Sequence, residues 1–180
     1  MVESKEDFDM NFAQLCEQRY SVRKYDSRPI EADKMEMILN AGRLAPTAKN
    51  FQPQRILVVQ GDDMEKMQGC TPCLYGQPAV LVVCYDKNES WKSRSGREIG
   101  DVDGGIVLTS MMYQAQALGV GSLVVGIYKE EMLRANFNIP ANYEIVALLM
   151  LGYPTEDCQP HEVLHFTRKE LSETVSYGSF

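Results

Sequence analysis

Histidine is scarce in this chain, and what there is lies near its end. His161 and His165 are the whole supply, so a Ser-His-Asp triad or a Cys-His pair has little material. Cations are in the minority: 18 Lys and Arg stand against 25 Asp and Glu, a net charge of −7. A nucleic-acid surface needs a basic excess or stripe, and none is present. An anionic ligand can then be held only in a local pocket of Arg or Lys. Long apolar runs are missing too. The longest, Ala79 to Tyr85 and Ile145 to Leu151, are strand-sized and fall short of the roughly 18 residues that suggest a membrane span. Met1 to Met10 is acidic, with no apolar segment between a basic start and a small-residue cleavage site, which argues against a secretory signal. The five cysteines, Cys16, Cys70, Cys73, Cys84 and Cys158, are odd in number and irregular in spacing, unlike a secreted disulfide framework. A reduced, cytoplasmic protein is the simplest expectation.

Several nucleotide and metal signatures are also lacking. There is no phosphate loop ending in Gly-Lys-Ser/Thr and no Gly-x-Gly-x-x-Gly after a strand. Cys70-Thr71-Pro72-Cys73 has the spacing of a redox dithiol, but turn residues surround it where a strand and a helix are needed. Cys158, His161 and His165 have zinc-like spacing of their own, yet Cys70 and Cys73 lie far off in the chain. Neither a dithiol nor a metal site is expected.

What remains is the composition of one soluble domain. Of 180 residues 44% are hydrophobic and 24% charged, enough apolar material for a real core. Apolar spacing predicts helices over Phe8 to Gln18, Glu31 to Leu44, Asp101 to Leu118 and Lys129 to Phe137. Buried strands are expected at Gln54 to Gln60, Pro78 to Asp86, Ser122 to Ile127 and Glu144 to Gly152. Asp101 to Leu118 is apolar around most of its circumference, as a helix covered on nearly every side would be. Asp86 to Gly100 reads as a polar loop carrying the only tryptophan, Trp91. The tail from Tyr153 to Phe180 has too few apolar residues for a core of its own. Helices and strands do not alternate strictly, so the fold class is α+β over a single domain, 1–180.

Two segments suit an anionic heterocycle. Arg19-Tyr20-Ser21-Val22-Arg23 places two guanidinium groups and a hydroxyl two residues apart; in an extended segment they point the same way. Arg donates paired, charge-assisted hydrogen bonds, which fits a phosphate. Pro46-Thr47-Ala48-Lys49-Asn50-Phe51-Gln52-Pro53 links a helix to a strand. Its prolines stiffen it, and its Thr, Asn and Gln side chains can read a ring edge.

Together these segments resemble the FMN-dependent nitroreductase family. Asp103-Gly104-Gly105-Ile106-Val107, continuing to Gln116-Ala117-Leu118-Gly119-Val120-Gly121-Ser122, is similar to that family's central helix. Leu151-Gly152-Tyr153-Pro154 and Arg168-Lys169 match its C-terminal signature. The resemblance implies a three-layer fold with a mixed, mainly antiparallel sheet, dimerising through the long helix. It implies two FMN molecules at the dimer interface, with the tail, 153–180, extending over the partner. Arg19, Tyr20, Ser21 and Arg23 are then cofactor-binding residues, with Arg23 the candidate cation at the pyrimidine edge. Pro46, Thr47, Ala48, Asn50 and Gln52 form the ring-side loop. Val124, Val125 and Gly126 are the backbone that faces the flavin, and Arg168 is a phosphate contact. The chain departs from many members at Gln54 and Val124, where they have Trp, and has no extra helical excursion beyond Asp86 to Gly100. The activity implied is transfer of hydride from NAD(P)H through FMN to a nitroaromatic or quinone by a ping-pong mechanism, with no protein acid or base. An FMN-binding protein with a cofactor-handling, sensing or dehalogenating role is the alternative.

Overall fold

The two longest apolar runs become the inner strands of a four-stranded sheet. A computed structural model describes residues 11–180. In chain order it contains α1 (Phe12–Gln18), α2 (Ala32–Leu44), β1 (Gln54–Gln60), β2 (Ala79–Asp86), α3 (Gly100–Ala117), β3 (Gly121–Val125), α4 (Glu130–Phe137), β4 (Tyr143–Gly152) and α5 (Leu171–Thr174). The strand order is β1-β2-β4-β3. All three ladders are antiparallel, and the parallel component is one bridge between Ser21 and Ser122. Central placement explains β2, which is buried at every position. The fold is α+β, as the unalternating order of elements implies.

Alternate residues of a strand face opposite sides, and here each side has its own core. Leu81, Val83, Ala147, Leu149 and Leu151 pack beneath α2 and α3. Val80, Val82, Cys84, Leu148 and Met150 pack on the other face against Val22, Tyr25, Met67, Cys70 and Leu133. The result is three layers. Gly42 allows α2 to lie directly on α3: a Cβ there would stand 2.8 Å from the Met111 side chain. Gly121 does the same for the Ser21 segment, since its Cβ would meet Val22 at 2.8 Å.

Differences from the sequence expectation are local. The first helix begins at Phe12, where the Asn11 side chain caps it; Phe8 lies outside the described residues. The strand expected over Ser122 to Ile127 stops at Val125, which leaves Gly126 and Ile127 exposed beyond the ladder. Gly61–Met67 is a 3-10 segment and not a mere break. The polar loop after β2 folds into a small hairpin in which Lys92 pairs with Glu98. The long helix is not covered all round by its own chain. Met111 and Met112 belong to the core, but Val102 and Ile106 are 46% and 37% exposed. Phe12 is 64% exposed beside the same helix. In the tail, Leu164, Phe166, Leu171 and Tyr177 are all exposed apolar side chains.

Candidate functional site

The first group of candidates converges on one small cavity. Arg19, Tyr20, Ser21 and Arg23 line it together with His161, Leu164, His165 and Arg168, around about 80 Å³. Two constraints set this geometry. Ser21 is bridged to Ser122, and the Val22 amide donates to the Ser122 carbonyl at 3.0 Å, which holds the segment extended. On the other wall, the His165 amide donates to His161 O at 3.1 Å, closing a helical turn. His161 and His165 are four residues apart on that turn, and Arg168 follows it, so that all three line the cavity.

Among the described residues, the charge in this cavity is uncompensated. Arg23 donates to the Ser21 carbonyl at 3.3 Å, and Arg168 to the Leu164 and Thr167 carbonyls at 3.2 and 2.8 Å. None of Arg19, Arg23 and Arg168 has a carboxylate partner among the described residues. Burial, with Cys158 beside it, pushes the Tyr20 phenol up to about 12. Its hydroxyl donates to the Cys158 carbonyl at 3.3 Å. The hydroxyl oxygen of Ser122 is buried without a partner behind Ser21. Three guanidiniums, a serine hydroxyl and no anion suit a phosphate monoester.

The second group forms a strained loop. Lys49, Asn50 and Gln52 have φ of 50°, 58° and 51°, the left-handed region that costs an ordinary residue about 1–2 kcal/mol. Local bonds hold part of this shape: the Gln52 amide donates to Thr47 Oγ1 at 3.1 Å and the Asn50 amide to Thr47 O at 2.9 Å. The anchor to the rest of the fold is Asp103, in the first turn of α3 and 2% exposed. Its Oδ1 accepts the Ala48 amide at 2.9 Å, and its Oδ2 is buried with no partner. Asn50, Phe51 and Gln52 are thereby presented to solvent. Pro46 is also exposed, at the exit from α2.

The two groups stand at opposite ends of α3. Ala48 is tied to Asp103 near its start, and Ser21 to Ser122 just past its end. The rise from Asp103 to Ala117 is about 21 Å. Their sheet anchors differ as well, because β1 follows the loop and β3 carries Ser122, and these are the two outer strands. Val124 is exposed on β3, Val125 is buried, and Gly126 lies just beyond the strand. Within one chain Arg19, Tyr20, Ser21, Arg23 and Arg168 are brought together, and Pro46, Thr47, Ala48, Asn50 and Gln52 are not brought to them.

Sequence reasoning overlooked three residues here. In the sequence His161 and His165 read as zinc-spaced with Cys158, with no sign that they face Arg19 and Arg168. Asp103 looked like part of a helix, and a carboxylate flanked by apolar residues and glycines was the available signal. Among the described residues no group of three or more His, Cys, Asp or Glu is arranged to hold a metal. Cys70 is buried and accepts the Asn136 side chain at 3.4 Å. Among the described residues no helix is long and apolar enough to cross a membrane.

A three-layer α+β fold with an extended Arg-x-Ser-x-Arg segment and a rigid Asn loop defines a class also found by comparison. The nitroreductase family matches residues 16–71 and 65–153, and the chain belongs to that family. A relative from Archaeoglobus fulgidus, named for NADH dehydrogenase and NAD(P)H nitroreductase activity, is 32% identical over 77% of this chain and 83% of its own. A crystal structure of a nitroreductase family protein from Clostridium difficile is 36% identical, with a TM-score of 0.89 over 95% of this chain and 100% of that one. A Desulfovibrio desulfuricans protein solved in complex with FMN has the same fold at 23% identity, with a TM-score of 0.78 over 98% and 99% of the two chains.

Proposed function

We propose that this protein oxidises NAD(P)H through bound FMN and reduces a nitroaromatic or quinone acceptor, working as a homodimer. The FMN-dependent NAD(P)H oxidoreductase class follows from the family, from the relative named for NAD(P)H nitroreductase activity, and from the FMN complex of the same fold. When bound, FMN supplies the redox chemistry, taking up hydride and giving it to the acceptor. The chain's own residues bind and orient. Arg19, Ser21, Arg23 and Arg168 hold the phosphate end by charge-assisted hydrogen bonds. The Asn50 loop and the Val124–Gly126 backbone receive the ring, with Asp103 keeping the loop in its strained form.

The observation that carries this reading is the separation of the two groups along α3. A two-fold dimer with its α3 helices antiparallel sets the start of one helix beside the end of the other. Each partner's loop then meets the other's Arg cluster, and both sites are completed at once. The exposed face of α3 supports such pairing: Val102 and Ile106 are exposed one turn apart, and exposed Phe12 packs edge-on to half-buried Tyr113 at 5.0 Å between ring centres. Beyond the turn that packs on the chain's own Arg cluster, the tail's exposed Leu171 and Tyr177 fit a segment that lies on the partner. Nicotinamide and acceptor take turns in one slot, which gives ping-pong kinetics.

The test is initial-rate kinetics of the FMN-loaded protein with a nitroarene and with a quinone. Parallel double-reciprocal lines are expected. A tightly held flavin that no nicotinamide reduces would instead support a cofactor-handling or sensing role.

A further inference from the structure

The hairpin between β2 and α3 carries a second, separate concentration of positive charge. Its base is the pairing of Trp91 with Ile99, whose amide donates to the Trp91 carbonyl at 3.2 Å, and of Lys92 with Glu98. Its tip is Ser93-Arg94-Ser95-Gly96-Arg97. The turn is specified from within. The Gly96 amide donates to Ser93 O at 2.9 Å, and Gly96 has the positive φ of 81° that glycine tolerates. The Arg97 amide donates to Ser93 Oγ at 3.0 Å, and the Ser93 and Ser95 hydroxyls are 2.8 Å apart.

These bonds leave a set of donors facing water. Arg94 and Arg97 are exposed and have no carboxylate partner among the described residues. Of the nearby acids, Glu89 pairs with Arg55 at 2.6 Å, and Glu98 stands 4.0 Å from Lys92 with its Oε1 buried and unpartnered. In a chain of net charge −7, two unpaired guanidiniums beside two hydroxyls on a five-residue tip are a local exception.

The hairpin also adjoins the flavin-side loop. Lys49, beside Asn50, places its ammonium 5.7 Å from the centre of the Trp91 ring. From Trp91 the tip extends about 10 Å further, at about 3.3 Å per residue. A nicotinamide seated by the loop would lie beside the base of this hairpin, with the tip within the span of an extended dinucleotide. Arginine is the residue that accommodates the extra 2′-phosphate of NADP cofactors.

We propose that the Ser93–Arg97 tip binds the 2′-phosphate of NADPH and makes the enzyme selective for NADPH over NADH. The inference rests on the oxidoreductase reading for its biological meaning, but the tip's affinity for a phosphomonoester can be measured without flavin.

Two measurements test it. The first is calorimetric titration with 2′,5′-ADP and with 5′-AMP of the purified protein carrying Arg19→Ala and Arg168→Ala, which disable the other phosphate cavity. Preferential binding of 2′,5′-ADP, weakened about 10- to 100-fold in Arg94→Ala and Arg97→Ala as loss of a charged hydrogen bond predicts, supports the site. Equal affinity for the two nucleotides, or undiminished affinity in Arg94→Ala, Arg97→Ala and Arg97→Glu, overturns it. The second is the ratio of kcat/KM for NADPH to that for NADH in the FMN-loaded protein. The ratio should exceed unity by about tenfold or more in the wild type and fall towards one in the variants, mainly through KM for NADPH. Parallel losses with both nucleotides would place the tip at a shared phosphate and overturn the selectivity. A protein that takes up no FMN would defeat the oxidoreductase reading, while the 2′,5′-ADP titration would still decide whether the tip binds.

Discussion

Replacing Asp103 by alanine separates a residue that shapes the cofactor site from one that merely stabilises the fold. Two terms of opposite sign act on stability. The variant loses the 2.9 Å bond to the Ala48 amide, and a bond to a charged group contributes about 1.5–3 kcal/mol. It also removes a buried carboxylate oxygen that has no partner, a group whose burial costs about 1–3 kcal/mol. The melting temperature of the cofactor-free protein should therefore change little. The loop is in a different position. Lys49, Asn50 and Gln52 hold left-handed backbone, and without Asp103 the main tie that offsets this strain is gone. The loop then relaxes, and the flavin-ready form becomes a minor population, which lowers apparent affinity in proportion. A loss of 1.5–3 kcal/mol corresponds to about 10- to 100-fold in the FMN dissociation constant. The assay is quenching of FMN fluorescence on titration with cofactor-free protein. Asp103→Asn keeps an oxygen acceptor for the Ala48 amide and should recover most of the affinity. FMN affinity unchanged in Asp103→Ala would refute the link between Asp103, the loop and the flavin.

Other consequences follow from the same geometry. Arg19→Ala and Arg168→Ala should each weaken FMN binding by about 10- to 100-fold, checked by the same titration; retained affinity in both would move the phosphate elsewhere. Ile106→Asp, on the exposed face of α3, should give a folded monomer with little flavin, seen by sedimentation; Met111→Asp should not fold, because Met111 is fully buried against Gly42. Asp86 is held below the usual carboxylate range by Asn142 and by the Asn88 amide. Its contribution to stability is thus fully present above about pH 4, the ordinary carboxylate value, and is lost as pH falls further. Asp86→Asn should flatten that acid limb in melting temperatures measured from pH 2 to pH 6, by lowering the values near pH 6, where the ionised carboxylate contributes, with variant and wild type converging near pH 2.

The strands were legible because both inner ones are continuous apolar runs, and a doubly buried strand has no other way to look. The long helix was legible in extent but not in burial. An apolar circumference reads the same whether the covering surface comes from the same chain or from a second one, so Met111 and Ile106 were indistinguishable in sequence. The Arg-x-Ser-x-Arg and Asn-x-Gln segments stood out because their donors are close in the chain. His161 and His165 did not, since their meaning depends on a turn that brings the tail back to Ser21. Asp103 was hidden for a similar reason: its partner is a backbone amide 55 residues away, and an amide leaves no trace in a sequence. That the two groups lie at opposite ends of α3 is a property of topology alone.

A mixed dimer tests the shared site most directly. One chain carries Arg168→Ala, the other Asp103→Ala, and the two are co-expressed with different affinity tags and purified through both. If each FMN lies between one chain's Arg cluster and its partner's Asn50 loop, one site of the mixed dimer collects both defects. The other is then wild type. Titration should reveal one tight FMN per mixed dimer, although neither homodimeric variant binds tightly. A mixed dimer in which every site is as weak as in the parent variants would mean that the Arg cluster and the loop serve the same flavin from a single chain, and would contradict the two-subunit site.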